Sequence, residues 1–129
     1  TFRGRKRRKI LIMIGALSMM MAVALGAFGA HALKDMLSER MLANWQTGVL
    51  YQMVHSLGIL ALGGMLLKVS ISQFSLAGWL MLAGIVFFSG SLYVMALTGV
   101  TKLGAITPIG GVLFIAAWIF VAIGAYKGL

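Results

Sequence analysis

The stretch ILIMIGALSMMMAVALGAFGAHAL, residues 10–33, contains no Asp, Glu, Lys or Arg. Three further stretches of the same kind follow it, at residues 45–67, 74–97 and 103–126. A helix needs about 20 apolar residues to cross a hydrocarbon core of about 30 Å, and each stretch is long enough. Because backbone polar groups cannot stay unpaired in lipid, such segments must be helices. The sequence therefore predicts an all-α polytopic membrane protein with four transmembrane helices.

The overall composition supports this fold class. Of the 129 residues, 61% are hydrophobic and 10% are charged, whereas a soluble domain usually carries about 25% charged residues. Four helices leave no room for a soluble catalytic module, so we expect one transmembrane domain at residues 10–129 after a basic segment at residues 1–9. The sequence has no cysteine, which excludes disulfide bonds, thiolate metal ligands and cysteine nucleophiles.

The charge is concentrated at the start of the chain. The formal net charge is +9, and six of the eleven basic residues lie within residues 1–9; without them five basic and two acidic residues remain, a net of +3. A basic run directly before an apolar helix indicates the positive-inside rule and attraction to anionic lipid rather than nucleic-acid binding.

Counting Lys and Arg on the two sides gives eight against three, which predicts that both termini are cytoplasmic. Without residues 1–9 the count is two against three, so this orientation depends on that segment, and the sequence leaves open whether the segment is native.

The connections between the apolar stretches are short, which predicts an antiparallel four-helix bundle. The first connection, residues 34–44, has apolar residues at helical spacing and is expected to form a short interfacial helix; a solvated loop is the alternative. The pair Thr107-Pro108 suits an N-cap and a first helical position, so the fourth helix should begin near Pro108.

The first helix carries a ridge of small residues spaced four apart: Ser18, Ala22, Gly26 and Ala30. Helices in lipid associate by close approach at small residues. This small-residue ridge is therefore expected to contact another helix, either of the same protomer or of a second one.

Polar side chains within the helices are the candidate ligand-binding residues. They are His31, Gln52, His55, Ser89, Tyr93 and Thr107. At 1.5 Å per residue they fall in the half of the bundle away from the N-terminus, the predicted outer half. Polar groups in hydrocarbon need partners, which leaves two hypotheses. Either neutral His55 bonds to Tyr93, Ser89 or a backbone carbonyl and sets helix register, or the cluster lines a pocket for a small ligand.

Metal, cofactor and enzyme functions find little support in the sequence. His31 and His55 should lie more than about 10 Å apart along the membrane normal, whereas a shared metal needs both within about 2 Å. The only carboxylate side chains, Asp35 and Glu39, both lie in the first connection, and no nucleophile–base set or phosphate-binding loop is present. We expect no metal, no cofactor and no catalytic activity.

Four motifs in order resemble a known family. They are GAFGAH at 26–31, the set Trp45, Gly48, Tyr51, Gln52 and His55, FSGSLY at 88–93 and ITPIGGV at 106–112. From about Gly15 to Gly124 the chain resembles the family catalogued as domain of unknown function 423, small four-helix membrane proteins of bacteria. The resemblance implies four transmembrane helices and a bacterial cytoplasmic membrane, and it supplies no activity.

Two functions remain as hypotheses. The first is non-enzymatic binding or transport of a small solute or lipid by the outer-half polar cluster. The alternative is an accessory subunit that packs into a larger membrane complex, or into a homo-oligomer, through the small-residue ridge. The expected partners are therefore membrane lipids and other membrane proteins.

Overall fold

The computed structural model describes the backbone of residues 2–129 and the side chains from Arg8 onward, so the side chains of the basic residues before Arg8 lie outside the described part. Helix α1 covers Phe2–Phe28 and ends in a π-helical turn, Gly29–Leu33. Helix α2 covers Glu39–Met65. Helix α3 covers Ser72–Thr98 and contains a π-helical turn at Ile85–Ser89. Helix α4 covers Thr107–Gly128 and follows a 3-10 helix at Thr101–Ala105.

The four helices form the predicted antiparallel bundle, with α2 and α3 at its centre. Helix α1 packs mainly on α2, and α4 packs mainly on α3. Within the most apolar window of each helix, 44% of the residues of α2 and of α3 are buried, against 17% for α1 and for α4. All four helices are long and apolar enough to cross a membrane, so the outer faces of α1 and α4 are the main surfaces offered to lipid.

Glycines permit the closest helix crossings. A Cβ atom added at Gly15 of α1 would lie 2.8 Å from the backbone nitrogen of Leu60 in α2. A Cβ atom added at Gly110 of α4 would overlap the backbone nitrogen of Phe88 in α3. These crossings need glycine because backbone meets backbone and no side chain can move aside.

The expected short interfacial helix between the first two membrane helices is absent from residues 34–44, and this prediction is corrected. Residues 34–36 form a turn, Leu37 is a bend, and α2 begins at Glu39, six residues earlier than expected. The cause is Ser38, whose hydroxyl accepts a hydrogen bond from the backbone N–H of Met41 at 3.2 Å and caps the helix. Of the apolar residues that suggested a separate helix, only Met41 lies in α2; Leu33 ends the π-helical turn of α1, and Met36 and Leu37 lie in the connection.

The start of α4 agrees with the sequence prediction except for its cap. The helix begins at Thr107 with proline in its first turn, but no side chain caps it. The Thr107 hydroxyl lies 2.6 Å from the hydroxyl of Ser91 instead, so it joins α4 to α3. Helix α3 ends at Thr98 and is followed by Gly99, whose φ of 73° is a left-handed conformation that glycine adopts without steric cost.

The two ends of the bundle differ in charge. One end carries the start of α1, the α2–α3 connection and the end of α4, and all its charged residues are basic; it is called the basic end below. There the Arg8 guanidinium donates a hydrogen bond of 2.9 Å to the carbonyl oxygen of Leu66, just beyond the end of α2. This bond satisfies a carbonyl left open at a helix C-terminus and makes Arg8 part of the fold.

Candidate functional site

A layer of polar side chains crosses the middle of the bundle between two apolar clusters. One cluster lies toward the basic end and includes Leu62, Phe74 and Met81; the other lies toward the opposite end around Leu33 and Trp45. The polar layer between them comprises Ser18 of α1, Gln52, His55 and Ser56 of α2, Ser89 and Tyr93 of α3, and Trp118 of α4. It joins all four helices.

A chain of hydrogen bonds links α3, α2 and α1 within this layer. The Tyr93 hydroxyl donates to Gln52 Oε1 at 2.6 Å. Gln52 Nε2 donates to the carbonyl oxygen of Ser18 at 3.0 Å, and its distance to the Ser18 hydroxyl is 3.4 Å. The Ser56 hydroxyl donates to the Ser18 hydroxyl at 2.6 Å. Gln52 is 2% exposed, so it is a buried bridge between α1 and α3.

His55 connects α2 with α4, and its two partners assign its tautomer. Nδ1 lies 2.8 Å from the carbonyl oxygen of Tyr51, which can only accept. Nε2 lies 3.1 Å from the indole nitrogen of Trp118, whose N–H can only donate. The ring is therefore the neutral form with its proton on Nδ1. It also stacks on Phe114 with ring centroids 3.6 Å apart at an angle of 9°.

Two further serines complete the links of α3. The Ser89 hydroxyl donates to the carbonyl oxygen of Gly48 in α2 at 2.7 Å. The Ser91 hydroxyl lies 2.9 Å from the carbonyl oxygen of Phe88 and 2.6 Å from the Thr107 hydroxyl. Ser91 lies on a different side of α3 from Ser89 and Tyr93, and it is buried against α4.

Every buried polar side-chain atom among the described residues has a hydrogen-bond partner. In hydrocarbon an unpaired polar group is costly because no water can replace the missing partner, and interhelical hydrogen bonds are worth on average about 0.6 kcal/mol. The polar layer is thus a set of closed helix-to-helix bonds. Among the described side chains it leaves no unpaired buried group to hold a polar solute.

The structure brings four of the six candidate residues together and leaves two elsewhere. Gln52, His55, Ser89 and Tyr93 lie in the polar layer. Thr107 is bonded to Ser91 rather than to this layer, and His31 is exposed near the end of α1. His55 bonds to a backbone carbonyl, one of the three partners proposed from the sequence, and not to Tyr93 or Ser89.

The depth expected from the sequence is also corrected for α2. Because this helix begins at Glu39 and not near Trp45, Gln52 is the central residue of Glu39–Met65. Gln52 therefore lies at the middle of α2 instead of in one half of it.

Sequence reasoning missed two members of the polar layer, Ser56 and the indole of Trp118 as a donor. Ser56 follows Gln52 by four residues, so both lie on one helix face, and this spacing was the available signal. Trp118 shares a face of α4 with Phe114 by the same rule. Its partner could not be identified without knowing how α4 is rotated against α2.

The small-residue ridge of α1 is largely used inside the chain. Ser18 bonds to α2, Ala22 is fully buried, and a Cβ atom added at Gly26 would lie 3.2 Å from Val49 of α2. Only Ala30 is exposed. The ridge therefore contacts a helix of the same protomer along most of its length.

A cleft of about 290 Å³ lies beside the polar layer, between α1 and α3. Its lining is apolar apart from Ser18 and Gln52, whose polar atoms are bonded to each other. The exposed side chains of Leu17, Met21 and Val86 stand at its rim, so the cleft opens sideways toward lipid. The remaining lining residues are Ile14, Leu82 and Ile85.

The residues that line the cleft include no His, Asp or Glu. Among the described residues, no three His, Asp or Glu side chains are grouped closely enough to hold a metal ion. The histidine of the polar layer has both ring nitrogens engaged by Tyr51 and Trp118.

These features define the chain as a polytopic integral membrane protein whose helices are joined by a central polar layer. The pattern of the family described as "Protein of unknown function (DUF423)" matches residues 25–111, more than half of the chain. The chain belongs to this family. The matched segment is shorter at both ends than the range of about Gly15 to Gly124 inferred from the motifs.

The curated relatives of this chain are named as membrane proteins. The chain is 48% identical over 79 residues to "UPF0382 membrane protein YwdK" of Bacillus subtilis, an alignment that covers 60% of this chain and 64% of the relative. It is 54% identical over 78 residues to a UPF0382 membrane protein of Staphylococcus epidermidis, covering 60% of this chain and 63% of the relative. The chain thus spans less than two thirds of the length of these relatives. No solved structure matches it.

Proposed function

We propose that the protein is a non-enzymatic binding protein of the membrane, which holds a lipid chain or another small apolar molecule in the cleft between α1 and α3. The observation that carries this proposal is the cleft itself. It has a volume of about 290 Å³, opens toward lipid and adjoins the polar layer that holds its walls together.

The cleft chemistry favours an apolar ligand over a polar solute. A polar solute needs free donors or acceptors, and the polar atoms of Ser18 and Gln52 are bonded to each other. The volume has room for about ten groups the size of a water molecule or a methylene, at about 30 Å³ each. That is the size of part of an acyl chain.

The test is photolabelling in reconstituted vesicles. The probe is phosphatidylcholine with a diazirine midway along one acyl chain, and the labelled peptides are identified by mass spectrometry. We expect label on the cleft residues of α1 and α3. Val86→Trp fills the rim of the cleft and should remove most of this label, whereas Val94→Trp, the same change at another exposed position of α3, should preserve it.

The two variants also define the result that contradicts the proposal. Equal labelling of the cleft peptides in wild type, Val86→Trp and Val94→Trp would mean that the probe samples the whole lipid-facing surface. The cleft would then be an ordinary surface groove.

The accessory-subunit hypothesis receives less support. Ser18, Ala22 and Gly26 of the small-residue ridge are engaged with α2 or buried, so the interface on which that hypothesis was based is occupied. We retain lipid as the partner class for this protein.

We further propose that the protein lies in a bacterial cytoplasmic membrane with its basic end in the cytoplasm. Eight of the eleven Lys and Arg residues belong to that end, and both acidic residues belong to the other. Arg8 belongs to the basic segment at residues 1–9, and its hydrogen bond to Leu66 is a specific contact of the fold. This supports including Arg8 when the Lys and Arg residues on each side are counted.

A further inference from the structure

The depth of the cleft indicates which leaflet supplies its occupant. On α1, Ile14 lies about 6 Å and Met21 about 16 Å from Ile10, the first apolar residue of the span at the basic end, at 1.5 Å per residue. From Leu33 at the opposite end, the same two residues lie about 28 Å and 18 Å away. One leaflet of hydrocarbon is about 15 Å thick, so the cleft extends through the leaflet at the basic end as far as the midplane.

Charge indicates the headgroup of that occupant. Lys9, Lys68 and Lys127 are exposed at the basic end, and this end has no acidic side chain in the sequence. The bond from Arg8 to the Leu66 carbonyl brings the start of α1 beside the connection that carries Lys68. Basic residues next to a membrane surface attract anionic headgroups.

The contact of Leu11 with α3 explains how a chain would enter. A Cβ atom added at Gly78 would lie 3.2 Å from the Leu11 side chain, so α1 and α3 touch between the cleft and the basic end. The cleft is therefore reached from the side, through the rim at Leu17 and Val86, and not along the bundle axis.

From these observations, and resting on the proposed binding function, we infer that the ligand is an anionic phospholipid of the leaflet at the basic end. Its headgroup lies beside Lys68, and the middle and end of one acyl chain occupy the cleft. The protein thus recognises the charge of the lipid headgroup at the membrane surface and binds the lipid's acyl chain in the cleft.

The experiment compares diazirine-labelled phosphatidylglycerol and phosphatidylcholine with identical acyl chains, each in the same phosphatidylcholine vesicles. We expect more label in the cleft peptides from phosphatidylglycerol. We expect Lys68→Gln to reduce that excess about fivefold, the effect of one basic residue near the surface. Lys127→Gln removes the same charge from the same end but on α4, which packs on α3 rather than on α1, and should have a smaller effect.

Probe position tests the leaflet separately. A diazirine midway along the chain should label Ile14 and Leu17, and a diazirine at the methyl end should label Met21. Labelling of the cleft only by the methyl-end probe would indicate a chain from the opposite leaflet and overturn the inference.

The failure of this inference differs from that of the proposed function. If Val86→Trp abolishes cleft labelling but phosphatidylglycerol and phosphatidylcholine label equally, the cleft binds lipid without headgroup selection and the inference is wrong. If Lys68→Gln and Lys127→Gln reduced the excess labelling by phosphatidylglycerol equally, this result would also contradict the inference, because it would indicate a general attraction of anionic lipid to the basic end. If Val86→Trp has no effect with either lipid, the proposed function itself fails.

Discussion

The hydrogen bond from Tyr93 to Gln52 offers the sharpest test of the polar layer. Tyr93→Phe removes only the hydroxyl that donates to Gln52 Oε1 at 2.6 Å and keeps the ring contact with Trp45, whose centroid lies 4.8 Å away. Tyr51→Phe is the matched control, because the Tyr51 hydroxyl makes no hydrogen bond among the described side chains and the residue is 39% exposed.

The expected magnitude follows from burial. Interhelical hydrogen bonds in membranes contribute about 0.6 kcal/mol on average and at most about 1.7, whereas leaving a buried acceptor unpaired costs about 1–3 kcal/mol. Gln52 is 2% exposed, and Tyr93 is the only described donor to its oxygen. We therefore expect Tyr93→Phe to lower the free energy of unfolding by about 1–2 kcal/mol, while Tyr51→Phe changes it by less than about 0.5 kcal/mol.

The assay is reversible unfolding in mixed micelles of mild detergent and dodecyl sulfate, followed by tryptophan fluorescence. The loss caused by Tyr93→Phe should disappear in a Gln52→Leu background, since the acceptor is then gone; this double-mutant cycle isolates the pair. An equal loss with and without Gln52, or a Tyr93→Phe variant as stable as Tyr51→Phe, would refute the described bond.

Two other outcomes are expected. In the same unfolding assay, Gly110→Ala should destabilise the protein by about 1–3 kcal/mol, because the added methyl group overpacks against α3. Gly90→Ala is the control: its methyl group would meet no atom within 4 Å, so the variant should be as stable as the wild type or more stable by up to about 1 kcal/mol. Similar stabilities of the two variants would contradict the α3–α4 crossing. Because the sequence has no cysteine, a single introduced cysteine reports on which side of the membrane its position lies. In intact cells an impermeant thiol reagent should label Met36→Cys, and it should label Ser70→Cys only after lysis. The reverse pattern would contradict the proposed topology.

Part of the site was predictable because helical periodicity sorts residues onto faces. Gln52 and His55 are three residues apart, a spacing that puts them on one face of a helix, and both are buried. Ser89 and Tyr93 are four residues apart and share a side by the same rule, and both bond to α2. Ser91 lies on another side of α3 and is nevertheless buried, because α3 is contacted on two sides, by α2 and by α4.

The membrane helices themselves follow from the sequence alone. In hydrocarbon a charged side chain is costly, and so is a backbone N–H or C=O group without a hydrogen-bond partner. A helix pairs its backbone groups within its own segment. Four uncharged stretches long enough to span the membrane therefore form four helices, whatever their neighbours are. Short connections then make those helices antiparallel. The start of α2 differed because a single side chain, Ser38, decides where the helix is capped.

Only the tertiary structure decided which polar groups meet and where space remains. The pairing of Gln52 with Ser18 and Tyr93, and of His55 with Trp118, depends on the relative rotation and height of all four helices. Small residues along α1 permit close approach but do not say to which helix. The cleft between α1 and α3 arises because both helices pack on α2 and touch each other at Leu11 and Gly78. Such a gap depends on how the formed helices pack against each other. This packing involves residues far apart in the sequence, so the residue pattern within one helix does not predict it.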